Sequence, residues 1–206
     1  MDEIVPGVFH WTTIHERIGR EVSSYYLAGP EGAVLIDPRV PDEGLAWFET
    51  RDLPHHIVLT NRHHYRHSDR FVGAFGGTVW CHRSGLHEFT HGEIVQGFDF
   101  GDLLPTDIEV LPVDAICPDE TALFISWARA LAVADGVTRR PPDGPLSFVP
   151  DFLMGDDPVE VKRGLCAAYA RLLDRDFDHL LMAHGRPWIG GAKDALRNFI
   201  EAETLE

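Results

Sequence analysis

Residues 60–68 read TNRHHYRHS and follow the short apolar run Ile57-Val58-Leu59. A run of that length, led by β-branched residues, is expected to be a buried strand. The polar side chains after it are then delivered at the strand's C-terminal end. Three of the five positions 63–67 are histidine: His63, His64 and His67. Two more apolar runs end in the same way, Ala130 to Ala134 at Asp135 and Leu180 to Ala183 at His184. Strand ends that bring imidazoles and a carboxylate to one point build a metal cage. His64, His67, Asp135 and His184 are therefore expected to converge in one cleft as candidate metal ligands. Alternation around His64 turns His63 toward solvent.

Working outward, strand-like pieces at Gly7–Trp11, Ser23–Leu27 and Ala33–Ile36 precede the histidines, the last ending at Asp37-Pro38. Pro41–Glu49 has helical spacing of Leu45 and Trp47-Phe48. A helix over Arg70–Phe75 is stopped by Gly76-Gly77. Thr78–Trp80 reads as a strand and Ser84–Phe89 as a short helix, which leaves His82, His87 and His91 solvated. Ile108–Leu111, Thr121–Ser126 and Ala130–Ala134 are further strands. Residues 136–157, rich in Pro and Gly, form a long loop expected to cover the cleft, with Phe148 or Phe152 in its wall. Val161, Leu165, Tyr169 and Leu172 line one face of a helix, and Ala192, Leu196, Phe199 and Ile200 that of a last one. Strands in both halves with helices between and after them predict two sheets packed face to face with helices outside.

The 206 residues suffice for one domain over 1–206. Charge excludes more than it identifies. A net charge of −15, with no Lys/Arg stripe, argues against a nucleic-acid partner. No run of 18 apolar residues and no basic-then-apolar leader at Met1 occur, so neither a membrane span nor a signal peptide is expected. Cys81, Cys117 and Cys166 are odd in number and far apart, which suits a reducing cytoplasm.

The order of these pieces resembles the metallo-β-lactamase superfamily over nearly the whole chain. PGV at 6–8 and AVLIDP at 33–38 look like its N-terminal strands, with Asp37 at the usual supporting acid. LTNRHHYRHS occupies the place of its Thr-His-any-His-any-Asp-His signature. LPVDAICPDETALFI at 111–125 resembles the Pro-Gly-His segment and its strand, ALAVADGV at 130–137 the strand ending in the bridging Asp, and LLMAHG at 180–185 the strand ending in the last His. The resemblance implies a four-layer αββα sandwich of the α+β class.

The resemblance also implies a two-metal hydrolytic site, from which this chain departs. Anchored on His67-Ser68, the signature places Arg62 at the first His, His64 at the second, Arg66 at the Asp and His67 at the last His. Anchored on Thr60, it places Asn61 at the first His, His63 at the second and Arg66 at the last. The first register retains two ligands and is preferred, though His63 and His64 remain alternatives. Ile116 stands at the Pro-Gly-His histidine. What the resemblance implies is then at most one divalent ion on His67, Asp135 and His184, with Zn2+ the first choice and Fe2+ or Mn2+ alternatives. The expected activity is hydrolysis of a small ester, thioester or amide, with Arg62, Arg66, Phe148 and Phe152 toward the substrate. Arg66 must then turn from the ion or meet an acid such as Asp69 or Asp37. The competing reading is a metal-free descendant whose arginines bind an anionic small molecule or whose pocket supports a partner protein. A nuclease is disfavoured by charge and by the lack of room for a further domain. Substrate identity and oligomeric state are not legible.

Overall fold

Seven strands pair in chain order to form the first sheet of the computed structural model, which describes residues 1–205. They are β1 (Asp2–Val5), β2 (Val8–His15), β3 (Arg20–Gly29), β4 (Gly32–Ile36), β5 (Pro54–Val58), β6 (Thr78–His82) and β7 (Val95–Phe98). Pairing is antiparallel from β1 to β4 and parallel from β4 to β7. The second sheet uses β8 (Leu103–Leu104), β9 (Ile108–Pro112), β10 (Thr121–Ile125) and β11 (Ala130–Val133). After the small hairpin β12 (Val137–Arg139) and β13 (Leu146–Phe148), β14 (His179–Met182) and β15 (Trp188–Ile189) complete it in the order β15-β14-β11-β10-β9-β8. Its one parallel pair is β11 with β14.

Alternation along the central strands sorts their side chains into layers. Tyr25, Leu27, Val34, Ile36 and Val58 meet Leu123, Ala130, Ala132 and Leu181 between the sheets. Their neighbours Tyr26, Ala33, Leu35, Ile57 and Leu59 face outward against Phe48 and Phe71, the latter on helix α1 (Ser68–Phe75). On the far side Leu131, Val133, Leu180 and Met182 pack under α2 (Pro158–Leu172) and α3 (Ala192–Thr204). The result is the expected helix–sheet–sheet–helix order. No helix of the described residues is long and apolar enough to cross a membrane.

The parallel pairs position the site. Because β4 runs with β5, and β11 with β14, four C-terminal strand ends reach one edge of the sandwich. Hydrogen bonds lock the sheets together there. Ser23 N donates to Ala183 O at 2.9 Å, Tyr25 Oη to Met182 O at 2.7 Å, and Thr121 N to Thr60 O at 2.9 Å. Each contributes about 1 kcal/mol net and sets the spacing of the residues beyond.

Three expectations are corrected. Helical structure in 41–50 is confined to a 3-10 segment, Leu45–Thr50, since Gly44 at φ 73° keeps the chain out of helical geometry before it. Residues 136–157 are not an irregular loop, because β12 and β13 pair and Asp151–Leu153 makes a 3-10 turn. His82 is buried rather than solvated: it ends β6 and stacks on Phe100, ring centroids 4.0 Å apart.

Candidate metal centre

Asp37 follows β4 directly in a left-handed conformation, φ 47°, which Asp tolerates better than most residues. The turn points its buried carboxylate at the end of β5. There Oδ1 accepts from Thr60 N at 2.9 Å, and Oδ2 from Thr60 Oγ1 at 2.6 Å. The chain then enters a one-turn 3-10 helix, Arg62–His64, capped by Asn61, whose Oδ1 accepts from His63 N at 2.9 Å. This turn swings the His64 ring inward, with Nδ1 at 2.9 Å from Asp37 Oδ2 and 2.9 Å from Thr60 Oγ1. Nδ1 is thus the donor to Asp37, and Nε2 is left facing the cleft.

Opposite stand the ends of β11 and β14. Asp135 Oδ1 lies 3.4 Å from His64 Nε2 and 3.0 Å from His184 Nε2. Asp135 Oδ2 is held by Asn61 Nδ2 at 2.8 Å. One donor atom from each of His64, Asp135 and His184 lies within 4.8 Å of the others. Burial opposes charge on His64, but the carboxylates of Asp37 and Asp135 outweigh it and raise the imidazole to about 9. Burial likewise opposes ionisation of Asp135, and His64 and His184 outweigh it, holding that carboxyl well below the usual range.

His67 does not join this group. Its Nδ1 accepts from Val40 N at 3.1 Å, and its Nε2 lies 3.6 Å from Glu16 Oε1. The left-handed turn at Arg66, φ 48°, puts His67 at the cap of α1 and aims it away. The expected trio therefore contains His64 in place of His67. Each register of the signature is met in part: Asn61 faces Asp135, yet His64 rather than His63 supplies the imidazole. His63 is exposed on the cleft lip.

The two arginines also line the cleft. Arg62 is tied to buried Asp119 through both its backbone N–H and its guanidinium. Arg66 meets no carboxylate directly among the described residues. Its Nη1 donates to Ser23 O at 2.5 Å and Asp37 O at 2.7 Å, while Nε and Nη2 are buried without a partner. Phe152 lines the cleft with Val149, Pro150 and Leu153. Phe148 does not, because β13 turns it onto Phe199 of α3, centroids 4.8 Å apart. Ile116 and Cys117 complete the wall, the thiol pushed up by burial and by Asp119.

Two residues here have little sequence signal. Asn61 enters the sequence reading only in the Thr60-anchored register, at the place of the first His, and nothing there marks it as a partner of Asp135. Glu120, fully buried, accepts from Gly136 N at 2.8 Å, so it braces the turn that carries Asp135. Burial, with Asp135 nearby, raises the Glu120 carboxyl from 4.5 to about 8. The folded chain then keeps a proton that the unfolded chain releases above about pH 4.5, so stability falls as pH rises toward 8. Glu120→Gln is expected to gain on wild type by roughly 2 kcal/mol between pH 5 and pH 7. Urea unfolding at the two pH values measures this, and a constant difference would refute a protonated Glu120.

No protein-family model matches the sequence, and no curated protein matches it. Solved structures do. A metallo-β-lactamase family protein from Thermus thermophilus is 14% identical, with 98% of this chain and 81% of that chain covered at a TM-score of 0.69. A protein solved in a di-iron-bound form is 22% identical over 90% of this chain and 96% of its own, at a TM-score of 0.70. The flavodiiron protein from Giardia intestinalis is 16% identical at a TM-score of 0.67, this chain spanning 58% of its length. The chain has the metallo-β-lactamase fold. At these identities the likeness establishes the fold and leaves the chemistry to the residues.

Proposed function

We propose that this protein is a metal-dependent hydrolase of a small ester, thioester or amide, using one divalent ion on His64, Asp135 and His184. The observation that carries this reading is the meeting of those three donors, with His64 held from behind by Asp37. Two imidazoles and a carboxylate suit Zn2+ first, and Fe2+ or Mn2+ as alternatives. The donor set fits one ion and not two: Asn61 engages the far oxygen of Asp135, Ile116 is apolar, and Arg66 places a cation close by. A divalent ion there would supply Lewis-acid polarisation of a carbonyl and acidify the attacking water. The chain does the rest. Asp37 sets the His64 tautomer, Asn61 aims Asp135 Oδ1 at both imidazoles, and Ile116, Val149 and Phe152 form an apolar wall for an acyl group. The three free cysteines accord with the reducing cytoplasm as its compartment.

A second reading, a metal-free pocket for an anion or a partner, is favoured by Arg66 and by the raised pKa of His64. Chelator-treated protein, reloaded with Zn2+, Fe2+ or Mn2+, separates the two. Hydrolysis of short acyl esters and thioesters is expected to rise about a hundredfold or more on loading and to saturate at one ion per chain. No metal-dependent rate with any of the three ions would leave the metal-free reading.

A further inference from the structure

The cleft of about 640 Å3 adjoins a second hollow of about 330 Å3, and Arg20, Arg140 and His184 line both. Six arginines and two acids, Glu21 and Asp135, line the pair, in a chain with 18 basic and 33 acidic residues. Basic side chains outnumber acidic ones in this lining, the reverse of their balance in the chain as a whole. Four of the six guanidinia are already engaged. Arg62 pairs with Asp119 and Arg186 with Asp143, Arg66 binds carbonyls, and Arg139 binds Gly144 O while lying over Trp188. Arg20 and Arg140 have no acidic partner within ion-pair distance among the described residues, and both are exposed. Beside them Ile18, Phe152 and Leu153 line the same cleft while 53%, 82% and 50% exposed, an apolar lip that water covers poorly.

We infer that the substrate is amphiphilic: an oxyanion, carboxylate or phosphate, sits between Arg20 and Arg140, with an apolar arm against Ile18, Phe152 and Leu153. Guanidinium groups without a partner recognise such anions by charge-assisted hydrogen bonds. A cleft of this volume takes a small molecule. The inference rests on the proposed hydrolysis only for which bond is cut, since recognition of the anion stands apart from the metal.

Binding to the metal-free full chain tests it, so that failure of hydrolysis and failure of recognition are told apart. The probes for titration calorimetry are 4-phenylbutyrate, 2-phenylethyl phosphate and the neutral 4-phenylbutanamide. At least one anion is expected to bind about tenfold or more tightly than the amide. Joint Arg20→Gln and Arg140→Gln substitution should bring the anions to within about threefold of it. Whichever anion binds more tightly identifies the headgroup. The single substitutions, each expected to lose part of the preference, carry the test if the double variant fails to fold. Equal binding of anions and amide, a preference untouched by the substitutions, or no binding of either anion at millimolar concentration would overturn the inference.

Discussion

Titrated with Zn2+, the chelator-treated protein is expected to take up one ion per chain, with His64→Ala, Asp135→Asn and His184→Ala each weakening binding by about a hundredfold or more. His67→Ala should stay within about threefold of wild type, because its ring is occupied by Val40 N and turned from the cleft. The affinity also depends on pH, with a definite sign. Asp37 and Asp135, against the pull of burial, raise His64 to about 9 in the metal-free chain. Binding must therefore displace that proton, and affinity should climb by about tenfold per pH unit up to about pH 9 before levelling. Calorimetry in buffers of different ionisation enthalpy counts the proton directly. Loss of the ion in His67→Ala but not in His64→Ala would sink this ligand set.

The second large effect is expected from Asp37→Ala in metal-free protein, a loss of about 3–5 kcal/mol at pH 7. The carboxylate is buried, serves Thr60 N, Thr60 Oγ1 and His64 Nδ1, and faces an imidazolium. Its removal takes the Nδ1 partner from that charge, leaving Asp135 alone to face it, and leaves two donors at the end of β5 unsatisfied. Since His64 is raised in the fold, its contribution is fully present below about pH 6.5 and is lost as pH rises through about 9. The cost of Asp37→Ala should accordingly be smaller at pH 10 than at pH 7. Urea unfolding at both values checks it. A cost below about 1 kcal/mol, or one indifferent to pH, would mean that Asp37 and His64 do not form a charged pair.

Apolar runs ending in polar residues were enough to place the sandwich, because strand alternation and strand-end chemistry are local properties of the chain. Ala33 to Ile36, Ile57-Val58-Leu59, Ala130 to Ala134 and Leu180 to Ala183 form the inner strands or lead out of them, and Asp37, the histidine cluster, Asp135 and His184 come next in the chain. The hairpin at 137–148 escaped because its strands are three residues each and carry proline and glycine between them. Periodicity has nothing to count in so short a piece.

Within the histidine cluster, the sequence by itself determined that imidazoles would stand at the end of β5. Which one enters the cleft was decided by tertiary structure alone. The choice depends on the one-turn helix capped by Asn61 and on the left-handed turn at Arg66, which together bring His64 inward and send His67 to Val40. The same holds for charge. Arg62 and Arg66 are conspicuous in the sequence, yet Asp119 and two carbonyls already engage them. Arg20 and Arg140, more than a hundred residues apart in the chain, line the same cleft with no acidic partner among the described residues. Side-chain identity is a local fact, whereas a partner's presence depends on which strands the sandwich brings together.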